Sequence, residues 1–209
     1  MATAGQLLGI NLSDAREDPR PTGERTPSPR YDARTVNDLV IREARPQELE
    51  ALGQLMVSAY SSLDGFPGPS EQPAYFELLA NIGRLRGPDT ALLVAALDDK
   101  LVGGVVYFAD MTLYGTAASQ EQATSAFRML AVHPDARGLG VGKALARHCI
   151  ELARARQHRQ VVIHTTHAQQ VAWGMYERLG FARSPDLDFL QGDLQVLGFR
   201  LALSVPSSR

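Results

Sequence analysis

The run Arg137-Gly138-Leu139-Gly140-Val141-Gly142-Lys143 constrains this chain more than any other segment. It follows an apolar stretch, "SAFRMLAV", and leads into "GVGKALARHCIELARARQ", where Val141, Leu145, His148, Cys149 and Leu152 recur at helical spacing. Glycines in alternation at a helix entrance cost stability unless something must come close to the backbone. The first amides of a helix have no internal partner, and the helix dipole adds positive character there. The run therefore predicts a cradle for phosphate oxygens, with Arg137 and Lys143 adding charge. A P-loop is excluded by spacing, since Gly138 to Gly142 is one residue short and Ala144 stands where a hydroxyl is needed. A dinucleotide fingerprint is excluded because the glycines read G-x-G-x-G and stand off the strand by "HPDA".

The rest of the pattern predicts one mixed α/β domain. Leu39 to Arg42 reads as a strand. Pro46 opens a helix on which Leu49, Leu52, Leu55, Met56 and Ala59 form one stripe. "DGFPGPSEQP" is a loop, and "AYFELLANIGRLRG" a second helix ending near Gly87-Pro88. Two apolar runs flank Asp98-Asp99-Lys100, which marks a hairpin. After the signature strand and helix come the strand "QVVIHTT", the helix "AQQVAWGMYERLG" stopped by Gly180, and a closing strand "QVLGFRLAL". The sheet is expected to be largely antiparallel and flanked by helices.

Composition enters where partners and setting are concerned. Net charge is −2, which advertises no nucleic acid and no acidic membrane surface. A single cysteine excludes an internal disulfide and a cysteine-rich zinc site, so no metal and a reducing, cytoplasmic setting are expected. No apolar run is long enough to span a bilayer, and the first residues lack a signal-peptide pattern. Residues 1–37 carry Pro19, Pro21, Pro27 and Pro29 among charges of both signs and read as an extended or disordered extension. Residues 38–209 are the expected domain. The patch "GQLLGINL" within the extension could dock on a neighbour, which leaves a homodimer open.

Two of these segments carry a resemblance to a known family. "LAVHPDARGLGVGKAL" resembles the acyl-CoA signature of the GNAT superfamily of N-acetyltransferases, through Arg137, Gly140 and Gly142. "AQQVAWGMYERLGF" is similar to that superfamily's second motif, through Tyr176, Gly180 and Phe181. The resemblance spans about Leu39 to Leu203. It implies acetyl-CoA as co-substrate, bound between two splayed central strands. Its pantetheine arm would pair with the strand edge Leu130-Ala131-Val132, and its pyrophosphate would lie on the amides from Gly138 through Leu139, Gly140, Val141 and Gly142 to Lys143. Gln169 stands where members often have Asn, which keeps an amide for the pantetheine arm. Ala126 stands about where many members carry a basic Glu.

The resemblance makes Tyr176 the expected acid. A phenol can hand a proton to a departing thiolate, whereas a helix tyrosine without the motif would read as core packing. His133, His164 and His167 lie on or beside the strand ends that flank the expected thioester. Each could relay a proton from the amine or simply serve the structure; His133 and His164 are the candidates carried forward. Cys149 reads as a buried structural thiol, and Trp173 and Met175 as packing residues. The acceptor site is expected between "SSLDGFPGPSEQP", the helix after it, and "DMTLYGTAASQEQ". Phe66, Tyr75, Phe76 and Tyr114 there, with few charges, suit a small or moderately apolar amine, with a peptide N-terminus as the other option. A non-catalytic acyl-CoA-binding module on the same fold is the alternative reading.

Overall fold

The computed structural model describes residues 38–114 and 123–204. The extension 1–37 and the part of the acceptor-side loop that includes Glu121 lie outside the described residues.

Four antiparallel neighbours open the sheet: β1 (Val40–Glu43), β2 (Thr90–Leu97), β3 (Lys100–Phe108) and β4 (Thr124–Val132). The β2–β3 turn falls on Asp98 and Asp99, with φ of 47° and 61°. Two left-handed residues match the twist of a tight hairpin, and aspartate tolerates that region. Helix α3 (Val141–Ala155) crosses over to β5 (Gln160–Thr165), which lies parallel to β4. Strand β8 (Leu194–Ala202) runs antiparallel to β5 and also pairs with the short β6 (Ala182–Arg183) and β7 (Phe189–Gln191). The strand order is β1-β2-β3-β4-β5-β8-β6, with β7 on β8. Every pairing except β4–β5 is antiparallel, as the sequence pattern predicts.

Helices α1 (Leu49–Ser61) and α2 (Pro73–Ala80) cover one face of the sheet, where Leu52, Met56, Phe76 and Leu79 join Val94, Val106 and Val162. On the other face α3 brings Leu145, Cys149 and Ala153 onto Leu93, Phe127 and Ile163, while α4 (Gln170–Arg178) brings Tyr176. The predicted α1 stripe is buried at Leu52, Leu55, Met56 and Ala59. Helix α2 is shorter than its apolar pattern predicts. Asn81 turns its carboxamide onto the Glu77 carbonyl at 3.0 Å, and Ile82–Leu85 continue as a 3-10 turn. Such side-chain bonds compete with the helical ladder. The predicted start of α4 is likewise a 3-10 turn, His167–Gln169.

Two features of β3 and β4 prepare a site. First, β4 pairs with β5 only from Thr124 to Phe127, opposite Gln160 to Ile163; beyond Phe127 the two strands part. A bulge accompanies the parting: Met129 has φ 56°, and the register against β3 shifts between Gly104 and Val106. Bulges bend the strand that carries them. The His133 amide donates to Val102 at 2.9 Å on the β3 side. Alternation along the strand then turns the Val132 and Leu130 amides toward the gap. Second, a Cβ on Gly103 would lie 2.9 Å from Val141 and 3.0 Å from the Ala131 carbonyl. Only glycine lets the start of α3 settle this close to the fork.

Candidate active site

A cleft of about 560 Å³ fills the fork. Its floor is Leu130, Ala131 and Val132 of β4, and one end is the α3 entrance at Arg137, Gly138, Gly140, Val141, Gly142 and Lys143. Gly138 and Gly140 have φ of 81° and 82°, the left-handed region that glycine alone enters freely, and nothing lies within 4 Å of where a Cβ would stand on either. Gly140 caps α3, and the first helical bond runs from the Ala144 amide to Gly140 at 2.9 Å. The amides of Val141, Gly142 and Lys143 thus have no partner within the helix. Of the predicted cradle only Leu139 turns away: its side chain packs against the α3 core and does not line the cleft.

The opposite wall is α4, with Gln169, Val171, Ala172, Met175 and Arg178, and α1 adds Ala59, Tyr60 and Leu63. Val171 is 88% exposed, an apolar side chain held at the cleft in water. Met175, read from sequence as packing, lines the cleft as well as touching the core. Arg178 joins Arg137 and Lys143 as a third cation along the cleft. The helical recurrence of 171, 175 and 178 is the signal by which it could have been found. Arg137 also reaches across to α1, with its guanidinium 2.7 Å from the Ser62 hydroxyl.

A second, smaller pocket of about 50 Å³ opens beyond Tyr60 and Gln169, which line both cavities. Its walls are Phe66, Tyr75, Tyr114 and Phe189, with Arg128, His164 and Gln191. Phe76 was expected here but turns into the core under α2. Tyr60 stands edge-on to Phe66 and Tyr75, at centroid distances of 5.3 and 5.7 Å. The Gln191 carboxamide donates to that of Gln72 at 3.0 Å, tying β7 to the cap of α2. Gln169 spends its carboxamide oxygen on the Thr165 hydroxyl at 3.1 Å and the Thr166 amide at 3.2 Å. No partner of its NH2 is found among the described residues.

His164 is a wall of this pocket. Its Nε2 lies 3.0 Å from the Leu187 carbonyl and its Nδ1 2.8 Å from the Tyr114 hydroxyl. A carbonyl can only accept, so Nε2 carries the proton and the phenol donates to Nδ1. Burial holds the imidazole down to about pKa 4, with Arg128 and Arg183 acting in the same direction. His133 lies elsewhere. It caps the turn Pro134–Ala136, its Nδ1 accepts from the Asp135 amide at 3.3 Å, and it lines neither cavity. His167 is exposed, its ring 5.8 Å from Trp173.

Tyr176 packs at the crotch of the fork, 5.9 Å from Phe127, the last β4 residue paired with β5. It lines neither cavity, it is only 5% exposed, and no hydrogen-bond partner of its hydroxyl is found among the described residues. Burial pushes its pKa well above the ordinary phenol value. Cys149 is fully buried and its thiol pushed up for the same reason, which makes it inert. Ala126 is buried beneath α1 and α2 and offers no base. Among the described residues no group of three metal-ligating side chains occurs, and no helix is long and apolar enough to cross a membrane.

Residues 51–181 match the acetyltransferase (GNAT) family. N-acetylaspartate synthetase of Xenopus tropicalis is 29% identical over 97 residues, 46% of this chain and 32% of that protein. Human N-acetyltransferase 8B is 34% identical over 93 residues, 44% of this chain and 38% of that protein. The matches thus span about a third of the length of these curated relatives. Among solved structures, a GNAT-family acetyltransferase of Staphylococcus aureus superposes with a TM-score of 0.62 at 18% identity, covering 79% of this chain and 99% of that one. The fold is therefore the GNAT fold, a mixed and largely antiparallel sheet flanked by helices, and the family match favours the enzyme reading over the binding-module alternative: the chain belongs to the acetyltransferase (GNAT) family.

Proposed function

We propose that the chain moves the acetyl group of acetyl-CoA to the primary amine of a small molecule, by direct attack while both substrates are bound. The observation that carries this reading is the meeting of the two cavities at Tyr60 and Gln169. One cavity is long, cationic at its helix end and floored by a free strand edge; the other is small and aromatic. The relatives' names include one synthetase of an acetylated free amino acid, which agrees with a small acceptor.

Leu130 and Val132 offer backbone groups to a pantetheine arm, and the Gln169 NH2 adds a donor. The amides of Val141, Gly142 and Lys143, with Arg137 and Arg178, suit the phosphates. Bound there, acetyl-CoA supplies an activated acyl carbon and a thiolate as leaving group. The amine nitrogen forms its bond to the acyl carbon as the carbon–sulfur bond breaks. Tyr176 gives its proton to the sulfur. A buried phenol is a weak acid, but the same dry surroundings raise the proton affinity of the thiolate it serves. The amine proton passes to the Tyr114 oxygen as Tyr114 hands its own to His164 Nδ1, and Leu187 steadies the charged ring from the far side. His133 has no part in this scheme.

Because His164 is so weakly basic, the acceptor must arrive as the free amine. We also assign residues 38–209 to this one domain, with residues 1–37 as an extension, and the single buried thiol suits a cytoplasmic setting. The test is release of free CoA thiol from acetyl-CoA with a panel of small amines and peptides, since Cys149 is too buried to interfere. Turnover with small amines supports the reading; turnover with peptides alone would replace the acceptor class.

A further inference from the structure

The small pocket contains a charge that the proposed chemistry does not use. Arg128 lies on β4, two residues beyond Ala126, and reaches the pocket between Tyr114 and His164. It is partly buried, with its guanidinium carbon 5.4 Å from the centre of the Tyr114 ring. Among the described residues its polar contact is a long one, from Nη1 to the Tyr114 carbonyl at 3.4 Å. No ion pair of Arg128 occurs among the described residues. Asp188 is within electrostatic reach of His164, but it is taken up by Arg183 and, at 2.9 Å, by the Gly198 amide. A half-desolvated guanidinium with most of its five donors unspent is costly, and a planar anion is what its fork fits. The remaining walls are aromatic rings, two carboxamides, two threonines and the apolar Met129, Leu194 and Val196, none of them charged at neutral pH.

We propose that Arg128 binds the carboxylate of the acceptor, so that the substrate is a free α-amino acid with an apolar side chain. The argument rests on the proposed function and deepens it. An α-amino acid holds amine and carboxylate two bonds apart around one carbon. With the carboxylate on Arg128, the amine is held at the Tyr114 oxygen, facing the junction of the two cavities. The side chain then meets Phe66, Tyr75 and Phe189. Arg128 is the one arginine or lysine lining this pocket, so a second carboxylate, as in aspartate, would find no cation there.

The experiment compares alanine, leucine and phenylalanine with their primary amides and their decarboxylated amines, by thiol release from acetyl-CoA, with rates taken per unprotonated amine. The expected result is at least a tenfold higher kcat/KM for the acids, with aspartate poorer than leucine. In Arg128→Gln the acid-to-amide ratio falls to about one, while Arg128→Lys restores part of it. Acids and amides used equally by the wild type would overturn the inference. So would an Arg128→Gln variant that slows both alike, which is what a structural role against Tyr114 would do. If other amines turn over and no acid does, the inference falls and the proposed function stands. If no amine turns over in protein that binds acetyl-CoA, the proposed function falls and the inference with it.

Discussion

The Tyr114 hydroxyl donates to His164 Nδ1 at 2.8 Å, and the two rings stack at 5.3 Å between centroids. Burial holds the paired histidine neutral, with Phe189 edge-on and Arg128, Arg183 and Asp188 in its field. The folded value of about 4 lies below the ordinary 6.5. As pH falls through 6.5 the unfolded chain takes a proton that the native ring refuses, so stability is lost between pH 6.5 and about 4. The full shift corresponds to roughly 3 kcal/mol at most. His158, also lowered by burial, acts in the same direction. Denaturant midpoints from pH 7.5 to 4.5 should fall more steeply for wild type than for His164→Gln. Parallel lines would show that His164 is not the group concerned.

The same low basicity shapes the rate. Log kcat/KM should climb with pH at unit slope until the acceptor's own ammonium pKa, with no plateau near 7. A plateau near neutrality would mean that an enzyme group of ordinary histidine pKa takes the proton.

Tyr176→Phe separates ring from hydroxyl. The hydroxyl has no partner to lose among the described residues, and the ring keeps its contacts with Phe127 and Phe181. Stability and acetyl-CoA affinity should stay near wild type while kcat drops about 10²-fold. Wild-type turnover in this variant would leave the thiolate to depart unaided.

At Gly140 the strain and the charge can be told apart. Its φ of 82° penalises any side chain, although space for a Cβ exists. Gly140→Ala should cost about 1 kcal/mol of stability and little affinity. Gly140→Asp adds a carboxylate beside the free amides and should weaken acetyl-CoA at least tenfold, about 1.4 kcal/mol. Calorimetric titration of both variants decides; equal affinities would put the phosphates elsewhere.

The glycine turn that opens α3 was legible in sequence because its cause is local: positive φ at Gly138 and Gly140 needs glycine wherever the chain goes next. Gly180, with φ 93° at the end of α4, was legible for the same reason. The small pocket was not. Tyr60, Arg128 and Arg178 come from a helix, a strand and another helix, and nothing within each segment says that they converge. Arg128 sat unmarked inside "SAFRMLAV", and the Met129 bulge that bends this strand has no glycine to announce it. His133 was drawn into the site by its place after a strand, whereas its ring serves the turn it caps.

The fork between β4 and β5 has a consequence for cohesion. At the β4–β5 seam the two leaves of the sheet share only the rungs from Thr124 to Phe127. A donor seated along Leu130 to Val132 would stitch the leaves above that point, as a rung the chain does not supply for itself. A ligand at a hundred times its dissociation constant adds about 2.7 kcal/mol to the folded state. With the donor bound in that way, part of the protein's heat tolerance would be lent by what it consumes: each turnover would unpick the stitch, and a cell short of acetyl donors would hold a looser protein than one that is well supplied.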